Sequence, residues 1–124
     1  MPAYNSSNFR PPAPVALVTF RSPASNATVS NVPMLLDTGA DVSLVPRDSI
    51  ANIAVFSGAE YELEAYDGAR TTAPAVELVM QFLGKTFRGQ FLAAGGDHGV
   101  LGRNILNNLS LQLNGPAQTW TETG

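Results

Sequence analysis

The sequence predicts a small all-β domain, on three observations. Short apolar and β-branched runs recur at close spacing, Gly, Pro, Asn and Asp fill the gaps, and several runs alternate apolar with polar side chains. With 124 residues, 44 % of them hydrophobic, the chain can bury the core of one domain but not of two. It contains no internal repeat.

Residues 1–12 are rich in Asn, Ser and Pro, which suits a flexible lead-in, and the domain proper is expected to span residues 13–115. Residues 15–20 and 27–36 read as strands. Ser22-Pro23-Ala24-Ser25-Asn26 between them has the composition of a turn, so a hairpin leads into Asp37. After residues 42–45, Pro46-Arg47-Asp48-Ser49-Ile50 accommodates a helical turn, because the missing proline N–H costs little at a helix start. In residues 60–66 period two places the glutamates on one face and Tyr61, Leu63 and Ala65 on the other. Asp67-Gly68 is a strong turn signal, and residues 73–83 return with Val76, Leu78, Met80 and Phe82 sharing a face. The result is a long, partly exposed hairpin. Residues 86–94 form another strand candidate, residues 102–108 form one short helix, and Leu109, Leu111 and Leu113 alternate again. Residues 116–124, Trp120 among them, read as a polar tail.

Composition removes several kinds of chemistry. With no cysteine there are neither disulfides nor thiolate nucleophiles, and a single histidine, His98, leaves a His-rich metal site or a Ser-His-Asp triad without parts. Neither a metal nor a cofactor is expected. Seven basic and ten acidic residues give a net charge of -3 with no long run of either sign, so no nucleic-acid footprint is present. No apolar stretch approaches a bilayer span and no signal-peptide core stands at the N-terminus, so the chain reads as soluble with no membrane partner. Ser43 and Ser49 lack a base partner. Chemistry must rest on carboxylates, hydroxyls and backbone groups.

One segment supplies such a group. The apolar run Met34-Leu35-Leu36 enters Asp37-Thr38-Gly39 and leaves through Ala40-Asp41-Val42-Ser43-Leu44-Val45, which places a carboxylate at a strand end. Gly39 lets the backbone turn sharply so that its N–H approaches that carboxylate, and the Thr38 hydroxyl can bond to neighbouring backbone. Two such carboxylates face to face share a proton, since like charges that close do not both ionise at modest cost. One then acts as base and the other as acid. Asp37 alone also fits an ordinary strand-end turn, and Asp67-Gly68 an ordinary hairpin turn.

Leu35-Leu36-Asp37-Thr38-Gly39-Ala40-Asp41, followed by Val100-Leu101-Gly102-Arg103-Asn104-Ile105-Leu106, resembles the paired signatures of the retropepsins, the retroviral-type aspartic peptidases. The resemblance covers residues 13–115, in pattern only between 50 and 94. It implies a small closed acid-protease barrel with one short C-terminal helix, active as a homodimer. Each chain would give one Asp37 to a site that hydrolyses an extended peptide. By the same resemblance Thr38 braces one active-site loop on its mate, and Asp41 and Arg103 form a bridge within the subunit, with Asn104 supporting them. Gly39, Ala40 and Asp41 lie along the substrate backbone, and Val42, Leu44 and Val100 line side-chain subsites. The hairpin becomes a flap over the substrate, with Tyr66, Asp67, Gly68 and Ala69 at its tip. Chain termini interleave in the family, which assigns residues 110–114 to dimerisation.

Two departures stand out. The tip has one glycine where the viral pattern is glycine-rich, and no basic residue precedes the first strand at Val15. They keep open an alternative, a catalytically silent dimerisation or peptide-binding module of the same fold. A phosphate-binding turn is a more distant third reading, since no Gly-rich loop with Lys accompanies Asp37.

Overall fold

In the computed structural model, which describes residues 2–64 and 67–123, a two-residue strand β1 (Tyr4–Asn5) precedes a hairpin of β2 (Ala13–Arg21) and β3 (Thr28–Leu36). Period two decides which side chains go inside. Ala16, Val18 and Phe20 of β2 and Val32 and Met34 of β3 are buried, while Leu17 is 63 % exposed. The connecting turn matches its composition: the Ser22 N–H donates to the Ala27 carbonyl and the Asn26 N–H to the Ser22 carbonyl, each at 2.9 Å. The buried Ser22 hydroxyl accepts from the amides of Ala24 and Ser25.

Strand β4 (Leu44–Pro46) leads into the single-turn helix α1 (Arg47–Ile50), which buries Ile50. The long hairpin follows as β5 (Phe56–Glu64) and β6 (Arg70–Phe82), and β7 (Lys85–Ala94) returns beside β6. Val76, Leu78, Met80 and Phe82 are all buried, as their shared face requires. Ala75 and Val79 on the opposite face are buried too, because β6 is covered on both sides there. Strand β8 (Gly99–Leu101) and helix α2 (Arg103–Leu106) come next, and β9 (Leu111–Asn114) and β10 (Thr119–Glu122) form a separate antiparallel pair.

The main sheet runs β1-β2-β3-β8-β4-β7-β6-β5, and β2 also pairs with β6. Its central stretch positions the site: β8 lies parallel to β3 and antiparallel to β4. The main core gathers Phe20, Met34, Ile50, Leu78, Met80, Phe91, Leu101 and Trp120, with Phe20 set edge-on to Phe91 at 5.4 Å.

Both ends of the chain depart from expectation. Residues 1–12, expected as a flexible lead-in, contain β1, which pairs with Ala13 and Pro14, and Ala3 bridges to Thr119. Residues 116–124, expected as a polar tail, carry β10. Trp120 is 1 % exposed and its indole N–H donates to the Val15 carbonyl at 3.1 Å. The reason is physical: a buried tryptophan with its N–H satisfied removes more apolar area from water than its short polar flanks can offset. Among the described residues no helix is long and apolar enough to cross a membrane, and no cluster of three His, Cys, Asp or Glu could hold a metal ion.

Candidate active site

The site is built on three adjacent strands. β3 is flanked by β2 and by β8, with Leu35 opposite both Val15 and Val100, and Leu36 opposite Leu101. The ladder continues one step past β3, where the Asp37 N–H donates to the Leu101 carbonyl at 3.0 Å. There the chain turns. The Gly39 N–H donates to Asp37 Oδ1 at 2.9 Å, and the Ala40 N–H donates to the Asp37 carbonyl at 3.2 Å. The half-buried carboxylate is thereby fixed by one oxygen, and Oδ2 bonds to none of the described residues.

The second signature clamps this loop from below. The Arg103 N–H donates to the Ala40 carbonyl at 2.8 Å, and its guanidinium Nη1 donates to the Thr38 carbonyl at 2.7 Å. The Asp41–Arg103 bridge implied by the resemblance is not formed among the described residues. Arg103 is committed to the Thr38 carbonyl instead, and Asp41 stays exposed. Gly102 explains itself by space: a Cβ there would overlap the Val42 carbonyl oxygen and lie 2.9 Å from that of Ala40. Gly99 is likewise confined, by the Leu44 carbonyl and the Met34 side chain.

Ser43 joins this arrangement, a residue the sequence reading set aside because it lacked a base. It is 2 % exposed, accepts from the Gly102 N–H at 3.0 Å, and donates to Asn104 Oδ1 at 2.8 Å. Its signal was available: a lone hydroxyl inside the apolar run from Val42 to Val45 needs buried polar partners.

The remaining candidates fall into two groups. Val42 and Leu44 are half-buried in a second apolar cluster with Ala73, Ala75 and Leu92, which also includes Ala59 and Leu63 of the hairpin. The hairpin thus packs, from Ala59 to Leu63 near its tip, on the segment that follows the Asp37 turn. Val100, half-buried, sits between Leu35 and Leu44. At the tip, Asp67, Gly68 and Ala69 are exposed, the Ala69 N–H donates to Asp67 Oδ1 at 2.9 Å, and Gly68 has φ of 85°. Tyr66 lies outside the described residues. Thr38 is exposed and its hydroxyl bonds to no described residue, so the single chain leaves it free to reach outward. A cavity of about 640 Å³ lies elsewhere, between the N-terminal segment and Trp120, and contains none of these residues.

No protein-family model and no curated protein matches the sequence. Solved structures do. The EIAV protease in complex with the inhibitor HBY-793 superimposes with a TM-score of 0.58 at 20 % identity, over 84 % of this chain and 91 % of that one. The simian foamy virus (mac) protease, solved in solution, gives 0.52 at 13 % identity, over 75 % and 91 %. With the strand order and the Asp37 turn described above, these likenesses establish that the chain has a retropepsin-like fold.

Proposed function

We propose that the chain is one subunit of a homodimeric aspartic endopeptidase whose site joins Asp37 of two copies. One observation carries this reading: the Asp37 carboxylate is pinned at the end of β3 by the Gly39 N–H while its other oxygen is left open. Asp67 is pinned in the same way by the Ala69 N–H, but only the Asp37 loop is held further, by Arg103 on the Thr38 and Ala40 carbonyls. The return of β2 to pair with both β3 and β6 supports a closed barrel subunit. The hairpin of β5 and β6 is the flap.

Within the pair, the ionised Asp37 takes a proton from water as it attacks the peptide carbonyl. The protonated Asp37 donates its proton to the carbonyl oxygen; when the C–N bond breaks, the proton taken from water passes from the first Asp37 to the leaving amine, and a hydroxyl proton of the tetrahedral intermediate returns to the second. Gly39, Ala40 and Asp41 offer backbone groups to an extended substrate as an added strand would, while Val42, Leu44 and Val100 provide apolar contact for its side chains. Such a site selects extended, largely apolar peptide segments.

The test is cleavage of a peptide library from acidic to neutral pH by the chain and by Asp37→Asn. Asparagine keeps an oxygen for the Gly39 N–H, so folding should change by less than about 0.5 kcal/mol while kcat/KM falls by at least about a thousandfold. Equal activity of the two proteins, or an inert wild-type dimer, would refute the peptidase and favour the silent module.

A further inference from the structure

We infer that the cavity between the N-terminal segment and Trp120 is a peptide-binding site, which takes a short, neutral, extended segment of another polypeptide and pairs it through its backbone with Leu17. The cavity is separate from the Asp37 turn, and the inference goes beyond the function proposed above without resting on it.

One edge of β2 is paired with β3, and the hydrogen-bond pattern shows which groups are left for the other. Pro33 stands opposite Leu17 and has no N–H, so the two residues cannot exchange ladder bonds. The Asp37 N–H donates to the Leu101 carbonyl, so residues 33, 35 and 37 turn their backbone groups towards β8. Their partners Val15 and Leu17 therefore turn theirs away from β3. The bond from the Trp120 indole N–H to the Val15 carbonyl agrees with this. On that outward side β1 pairs only at Ala13 and Pro14, and β6 only from Thr19 to Arg21. Leu17 lies in the gap, and none of the described residues meets its N–H or its carbonyl.

The gap has a local cause on each side. Continuing the pairing of Thr19 with Gln81 would set Leu83 opposite Leu17, but Leu83 has φ of 55° and Gly84 φ of 71°. These residues make the turn into β7, so β6 leaves β2 before reaching Leu17. The N-terminal segment swings the other way, onto β10, where Ala3 bridges to Thr119. Between the two lies the cavity of about 640 Å³, a size that accepts small ligands, which fall within about 300–1,000 Å³.

The lining names the ligand. An extended residue presents its N–H and C=O on one side, the complement of the pair that Leu17 leaves open. Its side chain would lie beside that of Leu17, which is 63 % exposed. The side chains before and after it would point to the opposite face, where Phe82 and Trp120 wall the cavity. Among the described residues no charged side chain lines it, so neutral, apolar segments fit best.

The probe is acetyl-Leu-Val-Leu-amide, titrated into the Asp37→Asn chain so that it stays intact. Trp120 is the single tryptophan and walls the cavity, so its fluorescence should change saturably with a Kd below about 1 mM. The Leu17 amide should gain at least about tenfold protection from exchange. The same peptide N-methylated at Val cannot donate to the Leu17 carbonyl and should bind at least about tenfold more weakly. Leu17→Pro removes the outward N–H without breaking a bond to β3 and should weaken binding similarly. The N-methylated probe needs no variant at Leu17, so the test holds even where that substitution prevents folding. Equal binding of the two peptides, protection at Gly39 instead of Leu17, or no saturable change overturns the inference. So does a fluorescence change that follows protein concentration and not peptide, since the occupant is then a second copy. None of these outcomes bears on cleavage by the unsubstituted chain, so the peptidase reading stands or falls separately.

Discussion

The Asp37 loop and the tip of the β5–β6 hairpin are both turns at strand ends, yet they are held in different ways. The loop is tied from three directions: Leu101 bonds its first amide, Arg103 takes the Thr38 and Ala40 carbonyls, and Ser43 fixes the Gly102 amide beneath it. At the tip, Asp67 caps Ala69 and an exposed ion pair joins Glu62 to Arg70 at 2.9 Å. Catalysis by fixed carboxylates needs the first kind of turn, since small misplacement of a reacting group is costly. Under the proposed function, a cover that must admit and release a peptide needs the second.

The contrast breaks most readily at Gly102. Gly102→Ala drives a methyl into the Val42 carbonyl, and the backbone there cannot yield as a side-chain tip would. The expected loss is about 2–3 kcal/mol of stability by urea denaturation, together with a fall in activity. A smaller effect is expected from Ser43→Ala, which strands the buried Gly102 N–H: about 2 kcal/mol, with kcat falling more than KM rises as the loop loosens. If Ser43→Ala is silent in both stability and kcat, the loop is not braced from below. The smallest belongs to the hairpin. Arg70→Ala removes a pair whose side chains are 65 % and 56 % exposed, so global stability should change by under about 0.5 kcal/mol. Any kinetic effect should appear in KM. A loss there as large as that at Gly102 would erase the distinction between the two turns.

Much of the site was legible because its signals are local. Leu36 ends an apolar strand and Gly39 permits the turn, each readable within a few residues, whereas the close backbone approach at Gly102 emerges only from the structure. The hairpin was legible from alternation, down to the buried face of Val76, Leu78, Met80 and Phe82. What escaped depends on partners far away in sequence. Ser43 acquires its role from Gly102 and Asn104, some sixty positions on. The Ala3–Thr119 bridge joins the two ends of the chain, and no period within residues 116–124 announces a strand of four residues behind a polar turn. The Asp41–Arg103 bridge failed for the opposite reason: resemblance supplied the pair, but the Thr38 carbonyl competes for the same guanidinium.

Trp120 gives the molecule a spectroscopic voice of its own. It is the single tryptophan of the chain, buried under the C-terminal pair with its indole bonded to Val15 and its ring 5.9 Å from that of Phe82. Its fluorescence therefore reports on the docking of β10 against the first core strand. Detachment of the C-terminal hairpin should shift emission to the red while the rest of the sheet still resists exchange, so intrinsic fluorescence and amide exchange together can time that detachment separately from the melting of the main sheet.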